Sequence, residues 1–355
     1  MSPDLRFPAE WEPQSAILLA WPHAGTDWAE RLDQVEQTYI ALVAAITRYQ
    51  PVLLCVADDD VEAYARARLS SARIDMAKVR FATVPYDDTW LRDSGPITLV
   101  GKAGFRLLDF RFTAWGGKFE SGQDDRLTER LFQAGNFLNC ERQGIDFALE
   151  GGAIETDGAG TLLSTWQCLY ERHPDTSREA LTAKLAAWLR QDRVLWLDHG
   201  YLEGDDTDAH IDTLARFAAP DAIVFQACDD PADSHYRELQ AMATEIAALR
   251  TRDHQPYRLF PLPWPQPILD QDPLDHDPMN QDRRLAASYA NFLVINGAVL
   301  MPAYGDPADG PAAAVLAQAF PGREIIQVPC RALIWQNGSL HCLTMQLPDG
   351  LVTAG

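Results

Sequence analysis

Positive charge is scarce in this chain. It has 30 Lys and Arg against 51 Asp and Glu, a formal net charge of −21 over 355 residues. A surface that acidic repels nucleic acid and anionic membranes, so neither is an expected partner. A small cation is the solute it would attract, with acidity for solubility as the plain alternative. No apolar run approaches the roughly 20 residues that a membrane-spanning helix needs. The cysteines are Cys55, Cys140, Cys168, Cys228, Cys330 and Cys342. They form no CxxC pair, and their spacings fit neither a zinc site nor a disulfide framework. A reducing, cytoplasmic setting is expected. At the N-terminus Asp4, Glu10 and Glu12 stand where a signal peptide would have basic residues, and no apolar stretch follows them, so no signal peptide is expected. Hydrophobic residues, at 47%, are numerous enough for a substantial core, which excludes global disorder.

The apolar patterning predicts alternating strands and helices. Ala16 to Ala20 reads as a buried strand. Between Trp28 and Arg48 the residues Leu32, Val35, Tyr39, Leu42, Val43 and Ile46 recur at helical spacing. Val52–Val56 is the next strand, followed by a helix over about Val61–Leu69 and a strand over Val79–Val84. The same order returns from Gly160–Thr165, through a helix carrying Leu181, Leu185, Trp188 and Leu189 with a Thr176–Glu179 capping box, to Val194–Leu197. It returns again where Asn291–Ile295 and Ala298–Met301 flank the hairpin signal Asn296-Gly297, Pro311 opens a helix, and Glu324–Val328 follows. Three recurrences of one pattern predict a single pseudo-symmetric α/β domain over residues 1–355, closed into a ring, with a doubly wound open sheet as the alternative. Only Pro256 to Asp282 reads as a long loop, either a lid or surface decoration.

Four stretches carry chemistry-bearing residues. In Asp87-Asp88-Thr89-Trp90-Leu91-Arg92-Asp93, carboxylates stand beside a tryptophan that is costly to leave on a loop; charge pairing and stacking there suit a planar cation. In Glu150-Gly151-Gly152, paired glycines after a strand allow close backbone approach, or simply a tight turn. In Asp205-Asp206-Thr207-Asp208-Ala209-His210-Ile211-Asp212, His210 and Asp212 would share one face of a strand. Neighbouring carboxylates favour the protonated imidazole, which suits a general acid; a metal site and a structural His–Asp pair are the other readings. Finally, the turn Asn337-Gly338 runs into Ser339-Leu340-His341-Cys342, which places Cys342 at the start of a strand, either as a small buried hydrophobe or as a nucleophile aimed into a cleft.

Taken together with Pro8-Ala9-Glu10-Trp11-Glu12-Pro13 and Ala114-Trp115-Gly116-Gly117-Lys118, these motifs occur in an order that resembles the agmatine deiminases. These belong to a larger group of guanidine-modifying enzymes that includes the bacterial type of peptidylarginine deiminase. The likeness runs from about Phe7 to Leu347. It implies a five-bladed α/β propeller of ββαβ units around a central site. It also implies Cys342 as nucleophile, His210 as acid and base, Glu150 in support of His210, and Asp93 and Asp212 on the guanidinium nitrogens. Trp90 and Trp115 would line the substrate channel, and Asp208, with Asp205 and Asp206 as alternatives, would take the distal amine. No metal or organic cofactor is implied, and a homodimer is the common assembly for such enzymes. The implied reaction converts agmatine to N-carbamoylputrescine and ammonia. A peptidylarginine substrate, an amidinotransferase, a metal-dependent hydrolase and a non-catalytic binding protein are the alternatives. The chain departs from the resemblance at Gln336-Asn337-Gly338-Ser339, where the family has a run of glycines, at Ala209, where it has glycine, and near Asp205 and Asp206.

Overall fold

The computed structural model describes residues 4–270 and 283–353. Among the described residues, sixteen strands make five separate small sheets. The first contains β1 (Gln14–Ala20), β2 (Val52–Val56) and β3 (Val79–Thr83). The second contains β4 (Ile97–Gly101), β5 (Gly104–Arg111) and β6 (Cys140–Ala148). The third contains β7 (Ile154–Thr156), β8 (Thr161–Thr165) and β9 (Arg193–Leu197), and the fourth β10 (Ala215–Ala219), β11 (Ala222–Gln226) and β12 (Arg258–Leu262). The fifth contains β13 (Leu293–Ile295), β14 (Ala298–Ala303) and β15 (Glu324–Pro329), while β16 (Met345–Pro348) returns to pair with β1.

One rule generates all five. Each sheet has an antiparallel pair and adds a parallel third strand, and the first adds one more parallel strand, β3. A parallel neighbour needs a crossover, and a helix supplies it each time. The crossover helices are Leu32–Thr47 and Asp59–Ser71 in the first sheet, then Leu127–Gln133, Arg178–Leu189, Tyr236–Ala248 and Asp309–Ala319. In the first sheet the antiparallel partner of β1 is β16, so the two ends of the chain close the ring. This is the five-fold pseudo-symmetric α/β propeller; an open doubly wound sheet is excluded by the separation of the five sheets. The central strands β2, β8 and β11 are buried along their whole length, as their apolar runs require.

Three local expectations are corrected. Arg258–Leu262 is not loop but β12, parallel to β11; Pro261 is tolerated because β12 is an edge strand. The remainder of that expected loop includes residues 271–282, which lie outside the described residues. The helix Arg178–Leu189 is capped by Ser177, whose hydroxyl accepts from Ala180 N, while Thr176 belongs to the preceding turn through its N–H to His173 O. The third concerns His210, Asp212 and Cys342, which stand on turns and not on strands, as described next.

Candidate active site

The sheets are joined by five connections, and each delivers a functional group. Trp90 and Asp93 lie between β3 and β4, Glu150 between β6 and β7, His210 and Asp212 between β9 and β10, Asn291 between β12 and β13, and Cys342 between β15 and β16. The connections are made of short helical turns, among them Leu91–Ser94, Gly151–Ala153, Ile211–Thr213 and His341–Leu343. Two of these turns are closed alike. The carbonyl of His210 accepts from the Thr213 hydroxyl at 2.9 Å, and the carbonyl of His341 accepts from the Thr344 hydroxyl at 2.9 Å. A threonine three residues on thus folds the chain into a tight turn before the next strand begins, which is why the expected strand positions for His210, Asp212 and Cys342 are not observed.

The five groups converge. His210 is fully buried, with Nδ1 3.7 Å from Asp93 Oδ1 and Nε2 3.8 Å from Glu150 Oε2. Cys342 Sγ lies 3.3 Å from Asn291 Nδ2 and 3.9 Å from Asp212 Oδ2. Asp93 is fixed on both oxygens: Oδ2 accepts from the Trp115 indole at 2.9 Å and Oδ1 from Gly152 N at 2.9 Å. Glu150 accepts from Arg172 Nε at 2.7 Å, and Arg172 continues to Asp208 Oδ2 at 2.6 Å and Thr207 O at 3.0 Å. Both nitrogens of His210, Oε2 of Glu150 and Oδ1 of Asp212 are buried with no hydrogen-bond partner among the described residues. Buried polar atoms left unpaired are costly, so this arrangement is made for a ligand that satisfies them.

Burial and mutual repulsion set the protonation of the groups. Burial, reinforced by the charges of Asp212 and Asp93, pushes the Cys342 thiol well above its usual range. Burial also raises Asp93 to about 6, against the attraction of His210. For His210 burial acts downward, but the charge of Asp93, with Cys168 and Glu150 close by, carries it well above the usual value. Asp212 is pushed up by burial, yet the hydrogen bond and charge of His341 bring it below the usual carboxylate range. Glu150, likewise opposed by burial, is held at about 2 by His210 and Arg172. The site in this structure is therefore a protonated imidazole among carboxylates, beside a neutral thiol.

Outside this cluster lies a cavity of about 740 Å³, lined among others by Trp90, Trp115, Asp88, Asp206, Trp335 and Asn337. Trp115 spans both regions, since its indole also holds Asp93. It is presented by a left-handed turn in which Ala114, Trp115, Gly116 and Gly117 all have positive φ. Such a run is disfavoured for residues with a Cβ, and strain of this kind gathers at functional sites. Asp208 does not line this cavity with a free carboxylate, because Lys118 Nζ binds both its oxygens at 2.8 Å in addition to Arg172. Asp206 does line it, and its Oδ2 accepts from Asn337 Nδ2 at 2.9 Å. Asp205 is used internally, by Thr207 and Ala209.

Residues 6–348 match the Porphyromonas-type peptidyl-arginine deiminase family. The chain belongs to that family. Among its relatives is an agmatine deiminase of Stutzerimonas stutzeri, 34% identical over 98% of this chain and 96% of that one. A C. jejuni agmatine deiminase variant solved with substrate bound is 34% identical, with a TM-score of 0.87 over 98% of this chain and 97% of that one. The agmatine deiminase of Enterococcus faecalis superposes with a TM-score of 0.87 at 27% identity, over 98% and 96%.

Asn291, His341, Glu10, Arg172 and Cys168 were not singled out from the sequence as deiminase site residues. Asn291 read only as the start of a strand, and His341 and Glu10 stood inside quoted motifs without a role. Arg172 carried no local signal at all. Donor atoms of Glu150, Cys168 and His210 lie within 4.8 Å of one another, a spacing that could hold a metal ion among the described residues. The Arg172 guanidinium already on Glu150 opposes a dication at the same carboxylate.

Proposed function

We propose that the chain is a hydrolase that acts on the guanidinium group of agmatine, giving N-carbamoylputrescine and ammonia. The observation that carries this reading is the set of unpaired buried atoms on His210, Glu150 and Asp212, the last of these residues in contact with the Cys342 thiol. A planar cation with several N–H donors satisfies carboxylate oxygens in bidentate fashion and brings its own charge into a negative site. With Asp93 and Asp212 on its nitrogens, the guanidinium carbon is oriented toward Cys342 Sγ. Its positive charge also offsets the two carboxylates that keep the thiol protonated.

On binding of the cation the Cys342 thiol releases its proton to the solvent; the thiolate attacks that carbon, His210 gives its proton to the departing nitrogen, and ammonia leaves, so one C–N bond is replaced by a C–S bond. Water then adds, losing a proton to His210, and the C–S bond breaks to release the ureido product and restore the thiolate. The relatives named agmatine deiminase support the choice of agmatine. The acidic wall of the cavity, with Asp27, Asp87 and Glu120, supports it independently, since an amine tail is attracted there and an α-carboxylate is repelled. A peptidyl-arginine substrate is the second reading, favoured by the family's description and by the volume of the cavity.

Incubation with agmatine, free arginine and a peptide ending in arginine, with assay of ammonia and ureido product, separates these. Turnover of agmatine alone fits the reading. Turnover of the peptide alone moves the substrate while keeping the chemistry. Undiminished turnover by Cys342→Ala would overturn the mechanism. Among the described residues no helix is long and apolar enough to cross a membrane, and the six unpaired thiols suit a reducing compartment.

A further inference from the structure

Beneath the reacting groups, His341 joins carboxylates from opposite ends of the chain. Its Nδ1 lies 2.7 Å from Asp212 Oδ2 and its Nε2 2.7 Å from Glu10 Oε2. All three residues are buried. His341 thus bridges two buried carboxylates, one through each ring nitrogen. Glu10 is rigidly held. Its Oε2 also accepts from Arg216 Nη2 at 2.9 Å and its Oε1 from Val294 N at 2.7 Å, with Arg92 Nη2 at 3.5 Å. Arg216 is in turn fixed by Glu155 at 2.6 Å. Asp212 has no such support. Apart from the Cys342 thiol, His341 is the hydrogen-bond partner of its carboxylate among the described residues, and Oδ1 is unpaired.

We propose that His341 is a positioning residue of the reaction: anchored through Glu10, it fixes Asp212 so that Oδ1 faces the substrate, and it holds Oδ2, the Asp212 oxygen that lies 3.9 Å from the thiol. This inference rests on the deiminase reading of the site. Two geometric facts support it. The oxygen that His341 holds, Oδ2, is the same one that lies 3.9 Å from Cys342 Sγ. His341 and Cys342 also share one helical turn, so the nucleophile and the clamp on Asp212 move as one body. The charged groups facing His341 and Asp212 are Glu10, Arg92, Arg216, Glu155, His210 and Asp93. Arg92 and Arg216 lie on the Glu10 side, and Arg216 and His210 also act on Asp212 by charge, but of these groups His341 is the one that hydrogen-bonds its carboxylate.

The two hydrogen bonds can be separated by substitution. An asparagine amide reaches about as far as Nδ1 and a glutamine amide about as far as Nε2. His341→Asn therefore keeps the donor toward Asp212, and His341→Gln keeps the one toward Glu10. His341→Ala is expected to lower kcat/KM by about 10²- to 10³-fold, the scale set by a misplaced catalytic group. His341→Asn should recover to within roughly tenfold of wild type, and His341→Gln should stay near the alanine variant. In all three the acid limb of kcat/KM should move to higher pH, because Asp212 loses the influence of His341 that lowers it. Alkylation of Cys342 by iodoacetamide, followed against pH on the folded protein, should show the same displacement.

Equal losses for Asn and Gln, or an unmoved acid limb, would overturn the proposal. If His341→Ala does not fold, the Asn and Gln pair decides, since each keeps one bond and much of the volume. If wild type turns over no guanidine, the deiminase reading fails by itself. The alkylation profiles of wild type and variants then still decide whether His341 acts on the thiol through Asp212.

Discussion

A Cβ on Gly152 would stand 2.6 Å from Nδ1 of His210. It would also come within 2.8 Å of Asp93 Oδ1 and 3.1 Å of Asp212 Oδ2. The main chain at Gly152 is thus the floor on which the imidazole and the carboxylates of Asp93 and Asp212 rest, and its N–H is one of the bonds that hold Asp93. Gly152→Ala is expected to displace His210 and lower kcat by about 10²-fold or more, since an ångström of misplacement is enough for that. Circular dichroism should remain native, because the methyl group meets side chains and not the sheet. Wild-type turnover by Gly152→Ala would mean that His210 is not where the reaction needs it.

The protonation of the empty site predicts how stability follows pH. Asp93 is raised from 3.8 to about 6 by burial, so above pH 4 the folded chain holds a proton that the unfolded chain has lost, and the resulting stability declines as pH rises through 6. That single change is worth about 3 kcal/mol. Asp124, raised mainly by burial to about 7, and His210, carried above its usual value, act in the same direction. Asp212 and Glu150 work oppositely: their folded-state values are depressed, so their contribution is present above the unfolded value and lost as pH falls through the folded one. The folded state without ligand should therefore be most stable near pH 4 to 5, and Tm should decline from there toward pH 8.5. Asp93→Asn should flatten the decline. A Tm that rises steadily over the same range would contradict this assignment of charges.

What the sequence made legible depended on whether a residue acts where its neighbours in sequence place it. The crossover helix Leu32–Thr47, the hairpin at Asn296-Gly297 and the buried strand β2 are local patterns, and they are found as read. The second and fourth sheets escaped. In β6 the opening residues Cys140, Glu141, Arg142 and Gln143 are polar or partly exposed, so only the strand end before Glu150 was read. In the fourth sheet Pro261 disguised β12. Cys342, His210, Glu150, Asp93 and Asp212 were legible because each sits in a short motif whose order resembles a family. Glu10 and Arg172 were not, because their partners, His341 and Glu150, are brought to them by ring closure and by the helix Trp166–Arg172. The turns that seat His210 and Cys342 did have a signal, the threonine three residues after each histidine.

Ala209 offers a stability gain. It stands immediately before His210 with φ of +69°, after Asp208 at +65°. A left-handed backbone costs an alanine roughly 1 kcal/mol relative to glycine, which carries no Cβ. Both main-chain groups of Ala209 are engaged, its N–H with Asp205 Oδ2 at 2.9 Å and its carbonyl with the Thr165 hydroxyl at 2.7 Å. Those bonds keep the conformation whatever the side chain. Ala209→Gly should raise unfolding stability by about 1 kcal/mol, net of the greater freedom of glycine in the unfolded chain, with kcat essentially unchanged. Denaturant melts at fixed pH would measure it, and a destabilised variant would show that the methyl group, buried at this position, contributes more by packing than it costs in backbone strain.

Arg172 is the remaining test of how His210 is held. From one guanidinium it reaches Glu150, Asp208 and the carbonyl of Thr207, at 2.7, 2.6 and 3.0 Å. Thr207 in turn accepts the His210 N–H on its hydroxyl at 3.1 Å. One planar cation therefore ties the carboxylate beside His210 to the loop that carries His210. Lysine would keep the charge but not the fork that makes three bonds in fixed directions. Arg172→Lys should fold with a loss of about 2 kcal/mol, less than the 3–5 kcal/mol of breaking a buried pair outright, since Glu150 keeps a cation nearby. Its kcat should fall by about tenfold or more while KM changes less, because the guanidinium grip of Asp93 and Asp212 is untouched and the orientation of the acid is not. A variant with wild-type kcat and lowered stability would assign Arg172 to the fold alone. A rise in KM without loss of kcat would instead place it, through Asp208, in recognition of the substrate tail.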